Sequence, residues 1–240
     1  MKGEYTYIVS PQTVDFKQEI TLASLVDLLL TTAGKNADDN NFGIRHLQEN
    51  NNTWVLSRLA VEITEFPKQY ETIYIETWIE DVFRLNTTRN FQIKNSKNEI
   101  IGKAVSLWVM INFDTRRPVE LDKLGDIQQH AEHVKIDILS PAKIDNVSGT
   151  VENSLQTKYS DIDINQHVTT VRYLQWMCDC FSLDFYQKYQ LKRFDVNFMS
   201  EILYNEKVEV VKESISENEF KLEILKEGKS ACRGKFIFQQ

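Results

Sequence analysis

With 240 residues, 42% of them apolar and 26% charged, the chain has the make-up of a water-soluble globular protein of one large or two small domains, neither disordered nor fibrous. A net charge of −7 argues against nucleic acid or an anionic membrane as a general partner. No run approaches the roughly 18 uninterrupted apolar residues of a membrane helix, since the longest candidate, Leu22 to Ala33, carries Ser24, Asp27, Thr31 and Thr32.

Met1-Lys2-Gly3-Glu4-Tyr5 lacks the basic-then-apolar layout of a secretory signal, so a cytoplasmic address is expected. Cys178, Cys180 and Cys232 form no framework, and the first two point to different sides of one predicted helix; all three are read as reduced packing residues.

A short extended stretch opens the chain. A helix follows over about Gln18 to Ala33, with Leu22, Leu25, Val26 and Leu29 on one stripe. Strands are predicted at Trp54 to Ile63, Thr72 to Ile79, Thr88 to Lys94 and Ala104 to Asn112. In the second of these, Ile73, Ile75, Thr77 and Ile79 alternate with Tyr74, Glu76 and Trp78. The same order then recurs. An extended stretch through Asp163 leads to a helix from about Val168 to Tyr186, followed by strands at Phe194 to Phe198, Lys207 to Glu213, Phe220 to Leu225 and Cys232 to Phe238. Residues 1–125 are therefore read as one module, 126–150 as a polar linker with a short helix, and 151–240 as a second module. One long buried helix followed by antiparallel strands, twice over, predicts an α+β chain of tandem hot-dog modules, each sheet wrapped around a central helix.

The chemistry concentrates before the second helix. If the chain there is extended, alternation puts Asp163, Asn165 and His167 on one face, at the electropositive start of the helix. A carboxylate, an amide and an imidazole beside free backbone N–H groups suit hydrolysis of an activated acyl group. Asp and Asn at this place also serve as ordinary caps. The first module carries Asp15, Lys17 and Glu19 in the same frame, so capping does not require the types found in the second. Aligning Tyr70-Glu71-Thr72-Ile73 with Asn205-Glu206-Lys207-Val208 sets Glu201 opposite Phe66. A carboxylate in an apolar setting is a candidate general base, and a solvated strand-end charge is the plain alternative. His130 and His133 lack a third ligand of suitable spacing, and neither a metal nor a cofactor is expected. Arg116-Arg117 and Lys192-Arg193 are local basic pairs available to an acidic partner or to the surface, and Trp54, Trp78 and Trp108 are read as core residues, some of them lining an acyl tunnel.

The stretch Asp161-Ile162-Asp163-Ile164-Asn165-Gln166-His167-Val168, with Val171-Arg172-Tyr173, resembles the D-x-D-x-N-Q-H-V-N-N-V-K-Y signature of plant-type and bacterial fatty acyl-ACP thioesterases. Trp54-Val55-Leu56-Ser57-Arg58, Glu76-Thr77-Trp78, and Ser106 to Asn112 with Thr115-Arg116-Arg117 are similar to three further motifs of that family. The resemblance implies a tandem hot-dog hydrolase that frees fatty acid from acyl carrier protein. Two fused modules already supply what single ones gain by dimerising, so a monomer or homodimer is expected, and the charge and hydropathy lead to no expectation of nucleic acid or membrane as partner. The resemblance also implies catalytic roles for Asp163, Asn165, His167 and Glu201. Two positions depart from the family. Ile202 replaces the frequent Cys after the Glu, which removes a Cys–His mechanism, and Thr169-Thr170 replaces Asn-Asn. Plant members carry a transit segment that this sequence is expected to lack. Water attack assisted by Glu201 or Asp163, and direct attack by Asp163 through an anhydride, both remain open at this level. An acyl-CoA thioesterase of the same fold and a non-catalytic acyl-binding module are the competing readings.

Overall fold

A computed structural model describes residues 2–121 and 126–240. The expected module boundary at residue 125 falls outside them. The chain divides into two compact units, Met1–Pro141 and Ala142–Gln240.

The first unit runs β1 (Gly3–Ile8), α1 (Leu22–Asp39), a short α2 (Ile44–Gln48), β2 (Asn52–Ile63), β3 (Thr72–Val82), β4 (Asn86–Lys94) and β5 (Ile100–Asn112). Its sheet is antiparallel in the order β1-β3-β4-β5-β2. The stripe read from the sequence is the buried face of α1, where Leu25, Val26 and Leu29 are fully enclosed; each contributes about 1.5–3 kcal/mol of apolar transfer energy. The helix starts at Leu22, later than the expected Gln18. Gln18 itself is left-handed at φ 62°, and Thr21 caps the helix by accepting the Ser24 N–H at 3.1 Å.

The second unit repeats this plan with β6 (Thr150–Gln156), α3 (Thr170–Cys178), α4 (Leu183–Lys188), β7 (Gln190–Phe198), β8 (Lys207–Ser214), β9 (Glu219–Lys226) and β10 (Lys229–Gln239). Its sheet order, β6-β8-β9-β10-β7, matches that of the first unit strand for strand. The single helix expected over Val168 to Tyr186 is two helices. Phe181 turns inward to rings of Phe185, Phe220 and Phe238 at 5.1, 5.1 and 5.2 Å, and Ser182 starts α4 by accepting the Phe185 N–H at 3.1 Å. Packing of that ring outweighs continuation of the helix. Gly234 lets β10 run close beneath α3, since a Cβ there would stand 2.6 Å from Met177 Sδ. Both units are thus α+β, each with a five-stranded antiparallel sheet and a buried helix face.

The segment expected as a linker is tied down at both ends. Trp78 Nε1 and Asn90 Nδ2 donate to the Val134 carbonyl at 2.7 and 3.1 Å. Within the second unit, the Asn197 amide donates to the Ala142 carbonyl at 3.0 Å and accepts the Ile144 N–H at 2.8 Å.

Candidate active site

The loop 161–168 is a closed turn, not the extended strand that alternation suggested. Asp163 Oδ1 accepts the N–H groups of Asn165 and His167 at 2.8 and 3.2 Å. The Asp163 N–H donates to the His167 carbonyl at 2.8 Å, the Gln166 N–H to the Asp163 carbonyl at 3.0 Å, and Gln166 is left-handed at φ 66°. This is an Asp side chain replacing a backbone partner, the habit that makes Asp a turn former. A turn, not a strand, therefore puts Asp163, Asn165 and His167 on the less exposed side of the loop. Ile164 is left 87% exposed at the tip.

Upstream, the buried Asp161 holds the loop base. Its carboxylate accepts the Lys158 N–H at 2.7 Å and pairs with Arg172 Nε at 3.0 Å. Downstream, the loop is laid against the β7–β8 connection: the Val168 N–H donates to the Ile202 carbonyl at 2.8 Å and His167 bridges Leu203. That register carries His167 Nε2 to 3.2 Å from Glu201 Oε2, with the two side chains 22% and 39% exposed. Glu201 is thus half-exposed beside an imidazole. The amide of Asn165 is half-buried and makes no hydrogen bond among the described residues. Thr169 caps α3, which begins three residues after His167.

The connection bearing Glu201 is itself braced by residues that the sequence did not single out. Tyr173 Oη accepts the Ile202 N–H at 3.1 Å, Glu206 Oε2 accepts the Leu203 N–H at 2.8 Å, and Lys226 Nζ donates to the Glu201 carbonyl at 2.8 Å while pairing with Glu206 at 3.2 Å. Glu206 had a signal in the sequence, because its counterpart Glu71 makes the same bond to the Lys68 N–H at 2.9 Å.

The first unit contains the same loop without the same chemistry. Asp15 Oδ1 accepts the N–H groups of Lys17 and Glu19 at 2.8 and 3.2 Å, and the Ile20 N–H donates to the Pro67 carbonyl as Val168 does to Ile202. Phe66 and Glu201 therefore occupy equivalent places. What changes between the copies is Lys17 for Asn165, Glu19 for His167 and Phe66 for Glu201.

The first half of the chain, residues 2–125, matches the family model of the acyl-ACP thioesterase N-terminal domain, and residues 144–240 match that of the C-terminal domain. The chain belongs to the acyl-ACP thioesterase family. An acyl-ACP thioesterase from Bacteroides thetaiotaomicron is 39% identical with a TM-score of 0.94, covering 99% of this chain and 98% of that one. The chloroplastic oleoyl-acyl carrier protein thioesterase of Coriandrum sativum is 26% identical over 225 residues, 85% of this chain and 60% of its own length. For an Arabidopsis thaliana oleoyl-acyl carrier protein thioesterase the share of its length is 48%, so this chain spans only part of its plant relatives. The 12:0-ACP thioesterase from Umbellularia californica, 17% identical, shares the fold at a TM-score of 0.86 over 99% of this chain and 97% of that one.

In this member of the acyl-ACP thioesterase family all three cysteines are free, Cys232 buried and Cys178 and Cys180 partly so. Burial pushes the Cys178 and Cys180 thiols up to about 12 and about 11, and Cys232 also rises. Ile202, next to Glu201, is fully buried. Among the described residues, no three His, Cys, Asp or Glu side chains cluster as metal ligands, and His133 Nδ1 instead lies 2.8 Å from Asp81. Arg193 is taken up by Asp195 through two bonds of 2.7 and 2.8 Å, and Arg116 sits in a left-handed turn at φ 56°. No helix among the described residues is long and apolar enough to cross a membrane. Trp54 and Trp108 line a cavity of about 220 Å³ in the first unit, together with Leu30, Ala33, Phe42 and Ile79. Trp78 is buried.

Proposed function

We propose that the protein hydrolyses the thioester of fatty acyl-acyl carrier protein and releases the free fatty acid. The observation that carries this reading is the His167–Glu201 contact of 3.2 Å, built on a loop whose sister copy has Glu19 and Phe66 in those places. Family membership supports the acyl-ACP substrate.

In the proposed reaction, water adds to the thioester carbonyl carbon and the C–S bond breaks. The proton lost by water passes to the His167–Glu201 pair and from there to the departing sulfur. Asn165, with its amide unspent, orients the substrate carbonyl or the water. Asp163 is a positioning residue: one of its oxygens is already engaged by two backbone N–H groups, and those bonds set the distance from His167 to Glu201. Water attack is thereby favoured over an anhydride at Asp163. Three unpaired thiols fit a reducing compartment such as the cytoplasm.

Initial rates on matched acyl-ACP and acyl-CoA of one chain length test the substrate assignment. The expected result is kcat/KM higher for acyl-ACP by about tenfold or more, the equivalent of about 1.4 kcal/mol of transition-state binding. Equal rates, or faster acyl-CoA cleavage, would move the protein to the acyl-CoA class.

A further inference from the structure

The 220 Å³ cavity of the first unit contains a residue that a slot for a plain hydrocarbon does not need. Arg89, in β4, lies on its wall and is only 4% exposed. Nη1 donates to Asn36 Oδ1 at 2.7 Å and to Thr77 Oγ1 at 3.2 Å, both neutral acceptors. The Nε and Nη2 groups have no acceptor, and the guanidinium forms no ion pair, among the described residues. Burial lowers its pKa to about 10, which leaves it charged at neutral pH. The nearby Tyr5 phenol supplies no counter-charge, because burial and a hydrogen bond to Asp39 raise it to about 12. Asp38 also lines the cavity, but it is exposed and its carboxylate lies against the Gly43 backbone. The Phe42 ring, 5.9 Å from the guanidinium carbon, offers only a weak cation–π contact.

A buried cation without an anion is costly, and a guanidinium with an open fork of donors is shaped for a carboxylate. The other walls, Leu30, Ala33, Phe42, Trp54, Ile79 and Trp108, are apolar or aromatic. We propose that this cavity is a binding site for an aliphatic carboxylate, its chain against the apolar walls and its carboxylate on Arg89, and that the free fatty acid released by the reaction is its occupant. Only the origin of the carboxylate rests on the proposed function; the binding chemistry does not.

Trp54 and Trp108 provide the readout, because both line the cavity. Titrating the 240-residue protein with decanoate and with decanol, while following tryptophan emission, compares two ligands that differ only at the head group. Decanoate is expected to quench with a Kd about tenfold or more below that of decanol, as charge-assisted bonds to a desolvated guanidinium require. In Arg89→Met the preference should fall to near unity, with circular dichroism confirming the fold. Equal affinities in the unaltered protein, absence of quenching by either ligand, or a preference that survives in Arg89→Met would each overturn the proposal. Since the comparison on the unaltered protein needs no variant, a misfolded Arg89→Met leaves the test intact. A protein that cleaves no acyl-ACP but binds decanoate through Arg89 would sink the proposed function while leaving this site standing. One that turns over acyl-ACP without preferring decanoate would do the reverse.

Discussion

Glu201→Gln is expected to lower kcat on acyl-ACP by about 10²–10⁴-fold, the usual contribution of a positioned acid–base group. The substitution keeps the shape and a hydrogen-bonding partner for His167 Nε2, which lies 3.2 Å away, and removes only the ability to take a proton. Because the pair is partly exposed, the loss of charge should cost no more than about 1 kcal/mol of stability, so activity and folding separate cleanly. Glu19→Gln makes the same change on the sister loop of the first unit and should leave turnover as it was. Steady-state kinetics with denaturant unfolding of both variants checks this. A Glu201→Gln enzyme that retains kcat within about threefold would remove Glu201 from the chemistry.

Asp163 gives the second large effect, and two substitutions there divide its possible roles. Asp163→Ala deprives the Asn165 and His167 N–H groups of their shared acceptor, at about 1–3 kcal/mol for donors left without a partner. The turn that sets the His167–Glu201 distance is lost with it, and kcat should fall by about a hundredfold or more, as misplacement of reacting groups predicts. Asp163→Asn keeps an oxygen in the same place but no charge. The loop should hold, and kcat should remain within about tenfold of the parent. An enzyme that attacked through Asp163 itself would be abolished by the Asn variant as completely as by Ala. Asp15→Ala, on the equivalent loop of the first unit, should cost a similar amount of stability in thermal or denaturant unfolding without touching turnover, which isolates the structural share of the effect.

The residues carried a good part of this architecture openly. In β3 the alternation of Ile73, Ile75, Thr77 and Ile79 is the buried face, because a strand with one covered side writes its burial at period two. Trp78 breaks the pattern, buried on the other face with its indole bonded to the Val134 carbonyl. A segment 56 residues away covers it, and no local pattern carries that information. The split between α3 and α4 is of the same kind, since the three-four spacing of Leu174, Cys178, Phe181 and Phe185 is satisfied by two helices once Phe181 has aromatic partners from β9 and β10.

At the site the stretch is a turn with a left-handed Gln and not a strand, yet Asp163, Asn165 and His167 still lie on its less exposed side, with Ile164 and Gln166 outward. The internal repeat held the better signal. Asp15 and Asp163 are alike in both copies, which marks the shared turn, whereas the exchanges at Asn165, His167 and Glu201 mark what only the second copy has. The bracing by Tyr173 and Lys226 was out of reach, because it depends on how the β7–β8 connection folds over α3 and β9. Arg89 lies in a predicted strand and gave no hint of being buried without a counter-ion.

Chemical rescue addresses the central claim most directly. Glu201 is 39% exposed, so a small carboxylate can enter the space left by Glu201→Ala. Turnover of acyl-ACP by that variant should recover in proportion to added formate, saturating as the vacancy fills, while Asp163→Ala gains nothing from the same addition. A folded Glu201→Ala protein whose rate stays flat across the formate series, or one that needs no rescue, would contradict a proton-handling carboxylate beside His167.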